Sequence, residues 1–264
     1  MTPIAEWTVA AFNTATGSDN KMHDDEVARS YGFRGGLVPG VDVFAYLTHL
    51  PVARWGSAFL SRGAIDARFV HPVYDGDRVT VDAAEGRMAL SLNLRDSAGT
   101  VCATARASLP VSAPAALPVD EIPVVARPDD RPAASPEVFA IHPVLGTIEV
   151  GFHGERALGY LADVREALPI YLDERVAHPG WLLRYANYAL ADNVRLGPWI
   201  HVSSAVQFHG LVHDGDRLSV RSRVDDAFER KGHRFVMLDV RHVVNGERVA
   251  MRTVHTAIYA PRRG

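Results

Sequence analysis

The sequence contains a single cysteine, Cys102, so no internal disulfide can form. Cys102 stands in an alternating apolar run, where we expect a small buried hydrophobic side chain and not a reactive thiol. No stretch approaches the roughly 18 apolar residues of a membrane span, and the N-terminus lacks a basic region followed by an apolar run. These absences predict a cytoplasmic protein that does not insert into a membrane.

Neither sign of charge dominates the composition. Lys and Arg total 28 against 31 Asp and Glu, a net charge of −3. Such a balance gives no general attraction to nucleic acid or to anionic membranes, so nucleic-acid binding is disfavoured. The 47% hydrophobic and 22% charged residues are typical of a soluble globular protein, and 264 residues are enough for two cores.

The second half of the chain repeats the first. Residues 69–81, FVHPVYDGDRVTV, return as residues 208–220, FHGLVHDGDRLSV, with Asp-Gly-Asp-Arg kept at the turn. A Pro-Gly pair opens a predicted helix in each half, at Gly40 and at Gly180. Two copies of one module predict two like domains that pack as the subunits of a dimer do.

The hydrophobic period in the first half changes from near 3.6 to 2. Before the change we predict a first strand, with a helix left open as the alternative for so short a run, and two helices, the second broken or kinked by Pro51 in its last turn. After the change we predict four strands separated by polar turns. These elements cover 4–13, 26–31, 40–55, 64–73, 78–84, 88–95 and 100–109, and their counterparts in the second half include 181–191, 235–243 and 248–259. A helix followed by an antiparallel meander predicts a sheet wrapped around a central helix.

Prolines concentrate between the halves. Seven of the 16 prolines fall in residues 110–136, with Ala, Asp and Arg between them. This composition is typical of an extended, semi-rigid linker that runs across a surface. It divides the chain into an N-terminal domain, 1–109, and a C-terminal domain, 137–264.

The chemically distinctive passage is residues 17–40, which reads GSDNKMHDD, then YGF and GGLVPG. It resembles the signature of the MaoC-like, (R)-specific enoyl-CoA hydratase family of hot-dog proteins. In that family a Gly-Asp-x-Asn-Pro-x-His run precedes Gly-Phe, a short apolar pair and His-Gly. The residues that fit this signature are Asn20, His23, Gly32, Phe33 and Gly40. The resemblance implies an α+β tandem double hot dog, a pseudo-dimer of two antiparallel sheets that each wrap a central helix.

Three positions depart from the family signature, and one of them is the position of the catalytic residue. Ser18 stands where the family has its catalytic Asp, Lys21 where it has Pro, and Pro39 where it has His. A serine hydroxyl has a pKa too high to replace a carboxylate base. Asp19 is the next carboxylate, although a shift by one residue usually points a side chain the other way. Serine-based acyl transfer is disfavoured, because the glycine-flanked elbow of α/β hydrolases is absent.

The resemblance also implies roles for the residues that match. His23 corresponds to the acid/base, Asn20 organises the loop, and backbone N–H groups at Gly40 and Val41 hold the thioester oxygen. An uncapped helix start is suited to that task, because its N–H groups are unpaired. The alternative is that Asn20, His23 and Asp25 only cap a turn and a helix.

The second half has a less complete set of site residues. His178 precedes the second Pro-Gly pair, so it either lines a substrate site or is an ordinary residue of a helix start, and Trp181 follows as a candidate for the apolar wall. Residues 171–175 contain no Asn-x-x-His, which predicts a single complete site. His209 and His213 lie in the strand-and-turn repeat, where their spacing does not converge on a metal, and no cofactor is expected.

The expected activity is that of a hydro-lyase acting at C2–C3 of an enoyl or 3-hydroxyacyl thioester, carried on coenzyme A or an acyl carrier protein. Two rivals stay open from the sequence. One is a hot-dog protein that binds an acyl or polyketide-like ligand without converting it, its base lost at Ser18. The other is a thioesterase, because one fold supports several chemistries. A homodimer of double hot dogs is an assembly that the resemblance allows.

Overall fold

A sheet of antiparallel strands runs through the computed structural model, which describes residues 5–86 and 89–262. Within these residues the sheet has ten strands in the order β1-β3-β4-β5-β2-β7-β10-β9-β8-β6. Two residues of the predicted strands, Ile4 and Met88, lie outside the described residues. The strands are β1 Ala5–Ala10, β2 Ala64–Phe69, β3 Arg78–Glu85, β4 Ala89–Arg95, β5 Val101–Ser108, β6 Val144–Gly151, β7 Ile200–Phe208, β8 Arg217–Arg230, β9 His233–Val244 and β10 Arg248–Ala260.

Helices occupy the connections before β2 and before β7. Of the two predicted effects of Pro51, a break does not occur: the helix continues to Trp55, because the proline removes one N–H while its buried neighbours still pack. Throughout the described ranges, no helix is long and apolar enough to cross a membrane. The helices are α1 Asp25–Ser30, α2 Gly40–Trp55, α3 Ser57–Arg62, α4 Pro136–Ile141, α5 Gly154–Asp163, α6 Ile170–Asp173 and α7 Pro179–Ala191, with single 3-10 turns at Lys21–His23 and Val119–Glu121.

The two halves share one topology. The order β1-β3-β4-β5-β2 in the first half matches β6-β8-β9-β10-β7 in the second, and the halves join where β2 pairs with β7, for example Ala67 opposite Ser204. The central helices α2 and α7 each pack on the inner face of the sheet. The predicted tandem arrangement of two helix-wrapped sheets is therefore confirmed.

The repeated Asp-Gly-Asp turn has the same hydrogen bonds in both halves. Gly76 N–H donates to the carbonyl of Ala11 at 2.8 Å, and Gly215 N–H donates to the carbonyl of Phe152 at 3.0 Å. Both glycines have positive φ, 74° and 90°, a conformation that only glycine adopts without strain. The shared sequence thus specifies one turn geometry that ties the start of β3 or β8 to the chain following β1 or β6.

The central helices run antiparallel to each other. Asp42 of α2 pairs with Arg184 of α7 at 2.9 Å, and Ala45, one turn later, lies against Gly180 near the start of α7. The start of α2 therefore lies beside the second half of α7. This crossing decides which side chains can share a site.

The proline-rich segment follows the surface of the second half. The sheet of the first half ends at Ser108, and α4 begins at Pro136. Between them Ile122 is buried, and Arg131 Nη1 donates to the carbonyl of Ala191 at the end of α7 at 2.7 Å. The segment is mostly exposed and brings Arg131 to the rim of a cavity.

The close approach of the central helices predicts that Gly180→Ala destabilises the protein. A Cβ at this position would lie 2.7 Å from Cβ of Ala45 and would collide with Oη of Tyr160. Overpacking of this kind costs about 1–3 kcal/mol, which urea unfolding measures. The matched control is Gly159→Ala on the exposed face of α5, where a Cβ meets nothing within 4 Å. This control should be neutral or gain up to about 1 kcal/mol, so equal losses in both variants would contradict the packing argument.

Candidate active site

The start of α2 presents free backbone N–H groups. Pro39, in the N-cap position, provides no side-chain cap, and the first helical hydrogen bonds come from Asp42 N and Val43 N to the Pro39 carbonyl. Gly40 N–H and Val41 N–H have no acceptor among the described residues. Two unpaired donors at the positive end of a helix can hold an anionic oxygen.

At the corresponding end of α7, a side chain caps the N–H group of the glycine. His178 is its N-cap residue, and Nδ1 of its ring accepts a hydrogen bond from Gly180 N at 3.0 Å. Two helices opened by the same Pro-Gly pair therefore differ in the group that precedes it. Gly40 therefore keeps its N–H free for a ligand, whereas Gly180 does not.

The amide of Asn20 joins the two halves beside the start of α2. Its Oδ1 accepts from Trp199 N at 3.1 Å, and its Nδ2 donates to the Trp199 carbonyl at 3.0 Å. One backbone donor and one backbone acceptor fix which end of the amide is which. The same Oδ1 accepts from Met22 N and caps the 3-10 turn that carries His23.

The orientation of Asn20 determines the tautomer of His23. Nδ2 of Asn20 faces Nε2 of His23 at 3.2 Å, so Nε2 must be the acceptor. The proton therefore lies on Nδ1, which donates to the carbonyl of Leu37 at 2.7 Å. Burial lowers the pKa of His23, against smaller raising effects of the Leu37 hydrogen bond and the charge of Asp42. His23 is thus a neutral imidazole with a basic Nε2.

Two cavities meet at His23. The larger has a volume of about 680 Å³ and the smaller about 240 Å³. The residues lining both are Asn20, His23, Asn187 and Trp199. Val41 lines the larger cavity and Gly40 the smaller, so the helix start also borders both. The structure thus brings four predicted site residues to the place where the two cavities meet: Asn20, His23, Gly40 and Val41.

Ser18 and Asp19 line the larger cavity, although neither contacts the His23 ring. Ser18 Oγ donates to the carbonyl of Asn20 at 3.3 Å, and Asp19 is exposed. Within the described residues, no carboxylate lies within hydrogen-bonding distance of either ring nitrogen of His23. The serine at the family's aspartate position is therefore not compensated by a carboxylate in direct contact with the imidazole.

The structure does not bring His178 and Trp181 to these cavities. The antiparallel crossing of α2 and α7 places the start of α7 at the far end of α2, where the buried His178 lies 3.8 Å from Glu166. Trp181 packs edge-on against Phe152, with ring centroids 5.0 Å apart. The later residues of α7, from Arg184 onward, line the larger cavity instead.

Helix capping accounts for Asp24 but not for Asp25 or His23. Asp24 caps α1 through the N–H groups of Glu26 and Val27, both at 3.0 Å. Asp25 accepts from Gly36 N at 2.8 Å. Gly36 lies so close to the backbone of His23 that a Cβ would overlap its carbonyl, so this glycine permits a close approach as well as a turn.

Sequence reasoning missed the residues that complete the site from a distance. Trp199 follows Asn20 by 179 residues, and Thr14, Arg184 and Asn187 belong to no recognisable pattern. The carbonyl of Leu37, which sets the tautomer of His23, is a backbone group whose identity leaves no mark in the sequence. Long-range packing alone assembles this set.

The contact between Asn20 and His23 predicts how the pKa of His23 responds to a change at Asn20. In the wild type its pKa should lie below 6.5, the ordinary value of histidine. Asn20→Asp replaces the donor facing Nε2 with a carboxylate that favours the imidazolium, so the pKa of His23 should rise. NMR titration of the histidine ring measures both values, with exposed His142 as the internal reference. Asp19→Asn is the matched control; an unchanged pKa in Asn20→Asp would contradict the contact between residue 20 and the imidazole of His23.

Comparison with solved structures places this fold among known proteins. A MaoC domain protein from Chloroflexus aurantiacus J-10-fl is 13% identical with a TM-score of 0.61, covering 98% of this chain and 95% of that one. A MaoC-like dehydratase is 11% identical with a TM-score of 0.58 over 97% and 98% of the two chains. A double hotdog protein from Mycobacterium tuberculosis is 16% identical with a TM-score of 0.60 over 98% and 96%.

No protein-family model matches the sequence, and no curated protein matches it. Identities of 11 to 16% show a common fold and leave the activity open. The chain therefore has the double hot-dog fold of the MaoC-like dehydratases over nearly its whole length.

Proposed function

We propose that this protein is a hydro-lyase that adds water reversibly across C2–C3 of an enoyl thioester. One observation carries the proposal: the basic Nε2 of a neutral His23 and the unpaired N–H groups of the α2 start border the same pair of cavities. Hydration of an enoyl thioester needs a proton acceptor for water and a donor set for the thioester oxygen. Both stand at one junction.

The two cavities suit the two ends of such a substrate. The smaller is lined mainly by apolar side chains, including Phe33, Val43 and Phe69, and its size suits an acyl group. The larger carries polar and charged side chains, including Asn187, Arg131 and Arg195, and suits the amide-bearing arm of coenzyme A or an acyl carrier protein. A thioester that spans the junction would put its carbonyl beside the helix start.

In the proposed reaction His23 moves one proton twice. Its Nε2 takes a proton from water as the water oxygen bonds to C3, and the electron pair of the double bond moves towards the thioester oxygen. Gly40 N–H and Val41 N–H stabilise the resulting enolate oxygen. The imidazolium then returns the proton to C2, the enolate collapses to the thioester, and His23 is neutral again. The sum is one water added.

The lowered pKa of His23 gives this mechanism a pH dependence. A base with a lowered pKa stays neutral at pH 7 and is lost only as the pH falls through that lowered value. The rate should therefore stay constant down to a lower pH than it would with a histidine of the ordinary pKa, 6.5.

A second candidate is a protein that binds acyl thioesters without converting them. The observation that favours it is Ser18, because the described residues place no carboxylate in contact with the His23 ring. The same cavities and helix start would then serve recognition only. Turnover separates the two candidates.

His23→Ala should lower turnover of an enoyl or 3-hydroxyacyl thioester by roughly 10²-fold or more. KM should change little, because the proton transfer stabilises the transition state more than the bound substrate. The measurement is the loss of enoyl thioester absorbance over a panel of chain lengths, with His142→Ala as the surface control. If His23→Ala turns over as fast as the wild type, His23 is not the base.

Ser18→Asp tests whether the departure from the family signature at position 18 affects activity. Under the hydratase proposal it supplies a carboxylate at the family's position and should preserve or raise hydration. If the wild type binds without turnover and Ser18→Asp creates slow hydration, the binding candidate is favoured. Release of free thiol, followed separately, detects thioester hydrolysis, and hydrolysis without hydration would contradict both candidates.

A further inference from the structure

A hydrogen-bonded triangle of three side chains lies beside the larger cavity, which two of them, Thr14 and Arg184, line. Oγ1 of Thr14 donates to Oδ2 of Asp42 at 2.6 Å. Nη2 of Arg184 donates to Oδ1 of Asp42 and to Oγ1 of Thr14, both at 2.9 Å. Thr14 comes from the loop after β1, Asp42 from α2 and Arg184 from α7, so the triangle closes only when the two halves pack.

The hydroxyl of Thr14 has unused capacity in this triangle. A threonine hydroxyl has one proton and two lone pairs. The proton points to Asp42, and one lone pair accepts from Arg184. The second lone pair has no donor among the described residues, and Thr14 lines the cavity together with His23. The side chain therefore offers one oriented acceptor to whatever occupies that cavity.

The loop that carries Thr14 is tied to His23 itself. Its neighbour Asn13 is buried, and Nδ2 of Asn13 donates to the backbone carbonyl of His23 at 3.1 Å. The backbone N–H of Asn13 donates to Asp75 in the first repeated turn at 2.8 Å. The hydroxyl and the imidazole are thus held by one connected set of hydrogen bonds.

We infer that Thr14 is a second catalytic residue of this site. Its hydroxyl accepts a hydrogen bond from the water that His23 activates. Asp42 and Arg184 are its positioning residues. This inference rests on the proposed hydratase function. It assigns the water contact to the hydroxyl of a residue that lies before the matched passage, residues 17–40, and outside the family signature.

The step is balanced without any change of charge on the triangle. Water gives one proton to Nε2 of His23 and keeps the other in a hydrogen bond to Oγ1 of Thr14 while its oxygen bonds to C3. The proton on His23 returns to C2, and the second proton stays on the new hydroxyl group. Asp42 stays paired with Arg184 throughout. Burial raises the pKa of Asp42 while Arg184 and Thr14 lower it, and the charge of Asp42 raises the pKa of His23.

Asp42 and Arg184 are required because the hydroxyl must have a fixed direction. Asp42 is fully buried and accepts the hydrogen bond of the hydroxyl, which fixes the direction of that hydroxyl and of its free lone pair. Arg184 neutralises that buried carboxylate, which would otherwise be strongly disfavoured. Neither residue touches the water in this arrangement.

The test compares Thr14→Val with Thr14→Ser. Valine keeps the shape and loses the acceptor, and serine keeps the acceptor. We expect Thr14→Val to lower kcat by roughly 10- to 100-fold, as misplacement of a reactant does, with KM nearly unchanged. Thr14→Ser should retain most of the wild-type kcat. Thermal unfolding of all variants checks folding, and Thr14→Ala replaces Thr14→Val if the valine variant is unstable.

A double variant separates a catalytic role from a structural one. Ser18→Asp restores a water acceptor at the family's position, so it should recover turnover in the Thr14→Val background by more than it raises turnover in the wild type. A wild-type kcat in Thr14→Val, or equal losses in the valine and serine variants, would overturn the role of Thr14 while leaving the hydratase function in place. A wild type without hydration would overturn both.

Discussion

The buried ion pair between Asp42 and Arg184 is the constraint on which the rest of the site depends. A fully buried carboxylate needs a partner, because removing one member of such a pair leaves an uncompensated charge in the interior. The partner here comes from the other half of the chain, so satisfying Asp42 also fixes how α2 crosses α7. From that crossing follow the opposite placement of the two helix starts and the meeting of the two cavities at His23.

The pseudo-dimer is symmetric in topology and asymmetric in chemistry. Both halves keep the strand order, the Asp-Gly-Asp turn and a central helix opened by Pro-Gly. At α7 the imidazole of His178 accepts from the helix and is buried near Glu166, whereas at α2 Pro39 cannot cap and the N–H groups stay free. The residue before the Pro-Gly pair, His178 in one half and Val38 in the other, thus decides whether the glycine N–H is capped by an imidazole or left free.

The environment of His23 performs part of the work that a carboxylate does elsewhere. A neighbouring carboxylate usually orients a histidine and selects its tautomer. Here the Leu37 carbonyl and the Asn20 amide select it, and burial keeps the ring neutral. Both partners are uncharged and orient the imidazole. The Leu37 hydrogen bond raises the pKa of His23, but burial lowers it by more, so the ring is not held as an imidazolium. An oriented base at His23 is therefore compatible with Ser18 in the aspartate position. In the proposed reaction the hydroxyl of Thr14 then accepts the second hydrogen bond of the water.

Local patterns in the sequence determined the repeat, the double hot-dog class, the central helix from Gly40 and the Asn20-to-His23 spacing that places both side chains on one 3-10 turn. These features depend on neighbouring residues, where periodicity and turn chemistry act directly. Tertiary structure alone decided that Trp199 clamps Asn20, that Thr14 and Arg184 reach the cavity of His23, and that His178 lies outside that cavity. Those contacts depend on the crossing of two helices and the pairing of β2 with β7, which join residues more than a hundred positions apart, and no local pattern encodes such a distance.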